Sequence, residues 1–319
     1  MIEGQEDVSW KQWRAIAAAC EDHGLAGLFR SDHYLSVESA LTPEERRRRG
    51  SLDAWGTICA LATVTERIRI GTLVTPATFR HPSVLAKLAA TADHISGGRI
   101  ELGVGAGWWE AEHAVYGFPF ADTGTRMAVF AEQLEIIARS WEEGQFSFEG
   151  EHYAIAELDA RPKPVQRPRP TLIVGGKAGP RSAATAARWA DEYNTAHASV
   201  EECRQRRAAF AEAWQRQGRD PDALRFSLMT GCVIGRDREE MLDRARRVAE
   251  RRGLPDQADD VDAYVQELEQ TWLVGTTDEV VEQLRALGEA GVNRVMLQLH
   301  LHDDLDAIAL IGAEVVPRV

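Results

Sequence analysis

Short apolar runs alternate with amphipathic stretches along almost the whole chain of 319 residues. This alternation is typical of βα units, in which buried strands form a parallel sheet and helices cover it. Seven apolar runs have the length of strands, namely residues 25–30, 68–75, 100–104, 171–174, 192–195, 225–234 and 292–299. The expected fold class is therefore α/β.

A (β/α)8 TIM barrel needs one further strand to close its ring. The only remaining candidate is Met1-Ile2-Glu3, which precedes a helix predicted to begin near Val8. We therefore expect a TIM barrel with insertions and a truncated first strand. The insertions are expected at about residues 144–170 and 235–273. No break in composition divides the chain, so we expect a single domain over residues 1–319.

Smaller patterns add detail to this plan. The run 146–153 predicts a small hairpin in the first insertion, and the second insertion contains two helical patterns. Ser199 with Glu202, and Thr276 with Glu279, predict capping boxes at the starts of two helices.

Composition excludes several classes of function. The formal net charge of −13 argues against general binding of nucleic acid. No apolar run approaches the roughly 20 residues that span a bilayer, and the amino terminus lacks the pattern of a signal peptide. The four cysteines are scattered and are expected to be reduced thiols, which predicts a cytoplasmic location; they are Cys20, Cys59, Cys203 and Cys232.

One dense basic run, Arg46-Arg47-Arg48-Arg49, follows two glutamates. It is either a solvated loop or a rim that attracts an anionic cofactor tail, because arginine binds carboxylate and phosphate through two parallel hydrogen bonds.

Asp32-His33 follows the first predicted strand. In a βα barrel the active site lies at the carboxyl ends of the strands, where this pair falls. An imidazole moves protons near neutral pH, and a neighbouring carboxylate can orient it or stabilise its charge. The alternative is an ordinary hydrogen-bonded loop histidine.

A glycine-rich turn, Gly175-Gly176-Lys177-Ala178-Gly179-Pro180, follows the strand predicted at 171–174. Proline suits the first position of a helix, so a helix is expected to begin at Pro180. The free N–H groups and the dipole at such a helix start attract phosphate. The alternative is a purely structural turn.

A second glycine-rich stretch, Gly103 to Gly107, is followed by Trp108 and Trp109. It does not fit a dinucleotide fingerprint, because no helix begins at once and no acidic residue follows at the required distance. Glycines at a strand end also let a flat ring approach the backbone. Trp108 would then form a wall of the substrate cavity, or pack within its loop.

His300, His302 and Asp304 would share one face of an extended chain. No second cluster of ligands supports them, so we expect no metal site.

In combination these segments resemble the luciferase-like flavin and deazaflavin oxidoreductases, and most closely their coenzyme F420-dependent branch. The resemblance runs from about Gly4 to the end of the chain. It rests on the segments Gly27-Leu28-Phe29-Arg30-Ser31-Asp32-His33, Arg69-Ile70-Gly71-Thr72-Leu73-Val74-Thr75-Pro76, Gly98-Arg99-Ile100-Glu101-Leu102-Gly103-Val104-Gly105-Ala106-Gly107-Trp108, Arg161-Pro162-Lys163-Pro164-Val165-Gln166 and Ile173-Val174-Gly175-Gly176.

The resemblance implies an often dimeric TIM barrel with the flat ring of the cofactor at its mouth. Asp32 and His33 would lie near that ring. The resemblance also implies a strand bulge behind the ring, often with a non-proline cis peptide, at Thr72, Leu73 and Val74. A glycine loop against the ring or its side chain is implied at Gly105, Ala106 and Gly107, and a phosphate-binding turn at Gly175, Gly176 and Gly179.

The function implied is F420-dependent transfer of a hydride between the deazaflavin and a small, fairly apolar organic molecule, with His33 as proton relay. One alternative is a two-component monooxygenase that receives reduced FMN from a separate reductase. Another is a non-catalytic barrel that binds a flavin-like ligand. A homodimer is expected, without nucleic-acid or membrane partners.

One departure from the family pattern concerns the substrate. Sugar-phosphate dehydrogenases of this branch carry a glutamate where this chain has Trp108, so a sugar phosphate is not expected. Glu110 and Glu112 follow closely and are expected to face solvent.

Overall fold

The computed structural model describes residues 1–319 and contains alternating strands and helices. The strands are β1 Gly27–Arg30, β2 Arg69–Thr72, β3 Thr75–Pro76, β4 Ile100–Gly105, β5 Phe146–Glu149, β6 Ala154–Leu158, β7 Thr171–Gly175, β8 Glu192–Ala196, β9 Arg225–Gly235, β10 Leu273–Thr276 and β11 Arg294–Gln298. The helices are α1 Trp10–Asp22, α2 Pro43–Arg48, α3 Ala54–Ala62, α4 Pro82–Ser96, α5 Glu110–Tyr116, α6 Thr123–Trp141, α7 Pro180–Trp189, α8 Val200–Arg216, α9 Arg238–Arg252, α10 Pro255–Asp259, α11 Val261–Leu268, α12 Thr277–Glu289 and α13 Leu305–Leu310.

Parallel pairing joins β1, β2, β4, β7, β8, β9 and β11 in that order. Residues 1–3 complete the ring between β11 and β1. The N–H of Ile2 donates to the carbonyl of Phe29 at 3.0 Å, and the N–H of Leu299 donates to the carbonyl of Met1 at 3.2 Å. The predicted TIM barrel is therefore confirmed, and three residues are enough to pair with both neighbouring strands.

Each predicted strand is present, but the run 68–75 is divided into β2 and β3 by a bulge at Leu73 and Val74. The predicted hairpin is the antiparallel pair β5–β6. The second insertion contains α9, α10 and α11, and also β10, which pairs with the far end of the long strand β9 and was not predicted. Only Leu273 and Val274 are apolar in β10, which is too short a run to recognise.

The predicted capping boxes are present at Ser199 with Glu202 and at Thr276 with Glu279. In each, the serine or threonine hydroxyl and the glutamate carboxylate satisfy the first free N–H groups of the helix.

Ion pairs close the amino end of the barrel. Arg294 Nη2 lies 2.6 Å from Glu101 Oε2 and 2.6 Å from Glu192 Oε2, and Arg69 pairs with the other oxygen of Glu101. These residues lie at or next to the first residues of their strands, so the network seals that end. The carboxyl ends of the strands form the only mouth of the barrel.

The cysteines form no disulfide, as predicted, and three of them are buried. Burial raises the pKa of Cys20 and of Cys203 to about 11 and that of Cys232 to about 12. These thiols therefore stay protonated and unreactive at neutral pH. None of the helices combines the length and the apolar character needed to cross a bilayer.

Candidate active site

His33 lies just past the carboxyl end of β1 and is held by a carboxylate on α5. His33 Nδ1 lies 2.8 Å from Glu112 Oε2. Because a carboxylate only accepts hydrogen bonds, Nδ1 carries the proton, and Nε2 has no partner within the protein. The second Glu112 oxygen accepts from the N–H groups of Tyr34 at 2.6 Å and Leu35 at 3.0 Å. One carboxylate thus fixes the imidazole and its loop together.

Opposing effects act on the pKa of His33. Burial disfavours the charged imidazolium, but the hydrogen bond and the charge of Glu112 outweigh burial and raise the pKa above its usual value. The charges of Glu3 and Asp32 act in the same direction. His33 can therefore hold a proton near neutral pH, and its side chain keeps 13% exposure through which to exchange it.

Of the two roles predicted for Asp32, orienting His33 is not found, and only an effect on the charge of His33 remains. The Asp32 carboxylate is buried and accepts from Thr75 Oγ1 at 2.8 Å and from Arg80 Nη1 at 2.5 Å. Its two partners lie on β3 and in the loop that follows, so Asp32 ties the ends of neighbouring strands together. Its charge reaches His33 only through space.

The expectation that Glu112 faces solvent is also wrong, because Glu112 is fully buried. Glu110 is exposed, as expected. Residues two apart on a helix point about 200° apart, so the two glutamates of α5 cannot share an environment. Sequence inspection missed Glu112 because the direction of α5 depends on the loop before it.

Two tryptophans stand beside His33. The Trp108 ring centroid lies 5.9 Å from that of His33 and the Trp109 centroid lies 6.1 Å away, both edge to face. The two indoles stack on each other at 5.9 Å. Trp108 is 64% exposed, so it forms a rim over His33 and leaves an open face toward solvent.

The bulge after β2 matches the feature implied by the family resemblance, because the Leu73–Val74 peptide is cis. Thr72 and Leu73 are buried behind the mouth, and the Thr72 hydroxyl donates to the carbonyl of Gly103 at 2.8 Å. Only Val74 keeps exposed surface at this position.

Val74 also explains two of the predicted glycines. A Cβ at Gly105 would lie 2.9 Å from Val74 Cγ2, and a Cβ at Gly175 would lie 3.1 Å from Val74 Cγ1. Glycine at these positions therefore makes room for the bulge, whatever the cofactor requires.

The loop after β4 has its own constraint. Gly107 has φ +80°, and a Cβ there would lie 2.8 Å from the hydroxyl of Thr78. His113 on α5 joins this loop to the loop after β3, because its Nδ1 donates to the carbonyl of Trp109 at 2.7 Å and its Nε2 accepts from Thr78 at 2.6 Å. Ala106 lies half-buried between the two glycines.

The turn after β7 leads into α7, which begins at Pro180 as predicted. Its N-cap, Gly179, offers no side chain to the first N–H groups of the helix. Lys177 and Arg181 are exposed beside them. Free N–H groups next to two cationic side chains are suited to hold a phosphate. Gly176 has a steric role, because a Cβ there would lie 2.5 Å from the Tyr193 hydroxyl.

The other half of the mouth holds a cavity of about 360 Å³ that none of the predicted catalytic or ring-contacting residues lines, although Arg49 of the basic run and His300 and His302 do. It lies over residues 1–6, the ends of β8 and β11, and the second insertion. Only three of its sixteen lining residues are hydrophobic. The rings and polar groups that shape it include His197, His300, Trp272 and Gln298.

Three histidines with a lowered pKa line this cavity, namely His197, His300 and His302. His300 stacks on Trp272 with ring centroids 4.8 Å apart and planes at 7°, and His197 lies 6.5 Å from the same indole. Burial lowers the pKa of His300 well below its usual value, and the charge of Arg252 adds to this effect. Burial also lowers the pKa of His197.

Glu3 connects the two halves of the mouth. Its carboxylate accepts from the side-chain amide of Gln298 at 2.6 Å, and its charge helps to raise the pKa of His33 and opposes the lowering of the pKa of His197 by burial. In the sequence Glu3 had only been considered as part of a short strand.

The remaining candidates have separate roles. His302 Nδ1 accepts from Arg251 at 2.9 Å, and Asp304 accepts from Arg244 at 3.0 Å. They do not converge with His300, and no three metal-ligating side chains gather anywhere in the chain.

The basic run is mostly the short helix α2 and not a loop. Arg46 donates to the carbonyl of Glu38 at 2.8 Å, and Arg49 donates to the carbonyl of Arg251 at 2.9 Å. Arg46 therefore connects two parts of the segment between β1 and α3, and Arg49 connects this segment to the second insertion.

Residues 2–294 match the luciferase-like monooxygenase family. The chain belongs to this family.

Two relatives differ in their cofactors. An F420-dependent glucose-6-phosphate dehydrogenase of Amycolatopsis mediterranei is 27% identical over 95% of this chain and 92% of its own. An FMNH2-dependent dimethylsulfone monooxygenase of Pseudomonas putida is 27% identical over 82% of this chain and 76% of its own. Among solved structures, a monooxygenase from Streptomyces bottropensis has a TM-score of 0.81 at 23% identity, covering 99% of this chain and 96% of its own. The protein is thus an F420- or flavin-dependent oxidoreductase of the luciferase-like class.

Proposed function

We propose that this protein is an F420-dependent oxidoreductase that transfers a hydride between the deazaflavin and a small organic substrate. The His33–Glu112 pair at the mouth carries the proposal, because hydride transfer to or from an alcohol needs a partner for the hydroxyl proton. The similarity to the F420-dependent relative, which extends over 95% of the chain, supports the choice of cofactor.

The side chains and backbone present fit such a cofactor. The uncapped start of α7, with Lys177 and Arg181 beside it, would hold the anionic end. Val74 and the loop around Ala106 would lie against the flat ring. When bound, F420 would accept the hydride that leaves an alcohol carbon, while the hydroxyl proton passes to His33 and a carbonyl group forms.

His33 and Glu112 divide the work of proton transfer. Glu112 keeps the proton on Nδ1, so neutral His33 presents the lone pair of Nε2 to a substrate hydroxyl. The carboxylate also stabilises the imidazolium once the proton has arrived. Trp108 and Trp109 limit the approach of water to the ring of His33.

A reduced-FMN two-component monooxygenase is the second candidate, supported by the relative from Pseudomonas putida. It would need a separate reductase as partner. The non-catalytic barrel loses its structural basis, because residues 1–3 close the ring that the short first strand had brought into question. We also propose a homodimer and, from the unpaired cysteines, a cytoplasmic location.

Binding of the cofactor tests this proposal. Purified protein titrated with F420 is expected to quench cofactor fluorescence with a Kd in the micromolar range, and FMN is expected to bind far more weakly. The double variant Lys177→Glu, Arg181→Glu should weaken F420 binding about tenfold or more, because it reverses two charges beside the helix start.

Arg188→Glu is the matched control, since Arg188 is exposed at the other end of α7. Micromolar binding of FMN without binding of F420 would replace the proposal by its alternative.

A further inference from the structure

We infer that the cavity bordered by Trp272, Gln298 and His300 binds a neutral, polyhydroxylated compound of about monosaccharide size. This inference goes beyond the proposed function, because the cavity lies in the half of the mouth that His33 does not line. Pockets for small molecules span roughly 300–1,000 Å³, and this cavity of about 360 Å³ lies at the lower end of that range.

Charge argues against an anionic ligand. Four carboxylates and three guanidinium groups line the cavity; they are Glu3, Glu6, Glu38 and Glu267, and Arg49, Arg251 and Arg252. Each guanidinium is already engaged inside the protein. Arg252 lies 2.8 Å from Glu38, Arg49 pairs with Glu6, and Arg251 donates to the carbonyl of Glu6 at 2.9 Å. Of the cavity's charged groups Arg251 alone among the cations makes no ion pair, whereas two carboxylates, Glu3 and Glu267, make none, so a phosphate or carboxylate would still meet an excess of negative charge.

Unused hydrogen-bonding capacity argues against an apolar ligand. Gln298 Oε1 and His300 Nε2 are both buried without a partner. Such atoms are rare in folded proteins, so each calls for a bonding group that a ligand would bring. Neutral His197 and His300 each offer one donor and one acceptor, which is the combination that a hydroxyl group matches. The fairly apolar substrate expected from the sequence would leave these groups unpaired.

The aromatic wall supplies the remaining contact. Trp272 and His300 stack nearly parallel, and both rings border the cavity. The C–H groups of a ring-shaped polyol would pack against the parts of these rings that reach the cavity, while its hydroxyl groups reach the polar atoms beside them. A ligand with both an apolar face and several hydroxyl groups therefore uses all that the cavity presents.

The test is direct binding of probe compounds to the wild-type protein without cofactor, measured by calorimetry and by tryptophan fluorescence. The probes are D-glucose, myo-inositol and glycerol, compared with glucose 6-phosphate as an anionic counterpart and cyclohexanol as an apolar one. At least one neutral polyol is expected to bind about tenfold or more tightly than both counterparts. Tighter binding of glucose 6-phosphate or cyclohexanol, or no binding of any polyol, would overturn the inference.

Variants locate the site. Gln298→Leu and His300→Phe are expected to weaken polyol binding about tenfold each, because each removes a hydrogen-bonding atom at little change in volume. His23→Gln, at the exposed end of α1, should bind like wild type. Unchanged affinity in both cavity variants, with unfolding temperatures near that of wild type, would contradict the assigned site.

The outcome is independent of the cofactor. Polyol binding in a protein that binds no F420 would remove the proposed function and keep this site. F420 binding without polyol binding would do the reverse.

Discussion

The two halves of the barrel mouth differ in what shapes them, since backbone features dominate in one half and side chains in the other. At the ends of β1, β2, β4 and β7 the backbone does most of the shaping, through a bulge, glycines and an uncapped helix start. Across the mouth, single side chains from residues 1–6, β8, β11 and the second insertion enclose a cavity. The shape of the backbone-built half changes little when one side chain is replaced, whereas the side-chain-built half can change its ligand by single substitutions.

The variant with the largest expected effect tests whether catalysis takes place in the half of the mouth formed by the ends of β1, β2, β4 and β7. His33→Ala is expected to lower turnover about 100- to 10,000-fold, the range for loss of a general acid or base. F420 affinity should stay within about twofold, because the residues proposed to hold the cofactor are untouched. Steady-state kinetics and fluorescence titration measure the two quantities, with His23→Ala as control. Turnover near that of wild type would remove His33 as the proton relay.

The next variant tests the partner of His33. In alcohol oxidation the neutral imidazole is the active form, so the rate should rise with pH through the pKa of His33, which lies above its usual value. Glu112→Gln removes the charge that raises this pKa, so the rising limb should move to lower pH, and turnover should fall about tenfold. The pH–rate profile is the measurement. Glu110→Gln, on the exposed face of α5, should leave it in place. If the rising limb of the pH–rate profile stayed at the same pH in Glu112→Gln, a group other than His33 would be responsible for it.

A third test concerns the glycines that accommodate the bulge. Gly105→Ala would bring a Cβ within 2.9 Å of Val74 and is expected to lower the free energy of unfolding by ~1–3 kcal/mol, as overpacking does. Adding Val74→Ala should recover most of the loss, since it removes the methyl group in conflict.

Gly179→Ala is the matched control, because its Cβ would meet only Ser182 Oγ at 3.8 Å. Denaturant unfolding measures all these variants. Equal destabilisation of the single and double variants would show that Val74 is not the cause.

The smallest expected effect concerns Trp108. Trp108→Ala should change the free energy of unfolding by less than about 0.5 kcal/mol, because the side chain is mostly exposed. KM should rise a few-fold, since the variant opens the rim over His33. A change of KM no larger than that of an exposed control such as Val115→Ala would remove Trp108 from the substrate path.

The contrast between the halves also explains what the sequence could reveal. Backbone features leave local signatures, so the turn at Gly175 and the start of α7 were predictable from the residues, whereas the bulge at Val74 was expected only from the family resemblance. Glu112 was missed because its burial depends on how the loop before α5 turns. The cavity was missed because its members meet only in the folded barrel. Glu3 and Gln298 are 295 positions apart along the chain, and neither belongs to a motif.

The ion pairs of Arg69, Glu101, Glu192 and Arg294 have a consequence for how ligands enter and leave the barrel. They close the barrel at the amino ends of its strands, so no ligand can pass through that end. Cofactor and substrate must therefore both enter and leave at the carboxyl ends of the strands, and neither can be exchanged from the opposite side of the barrel.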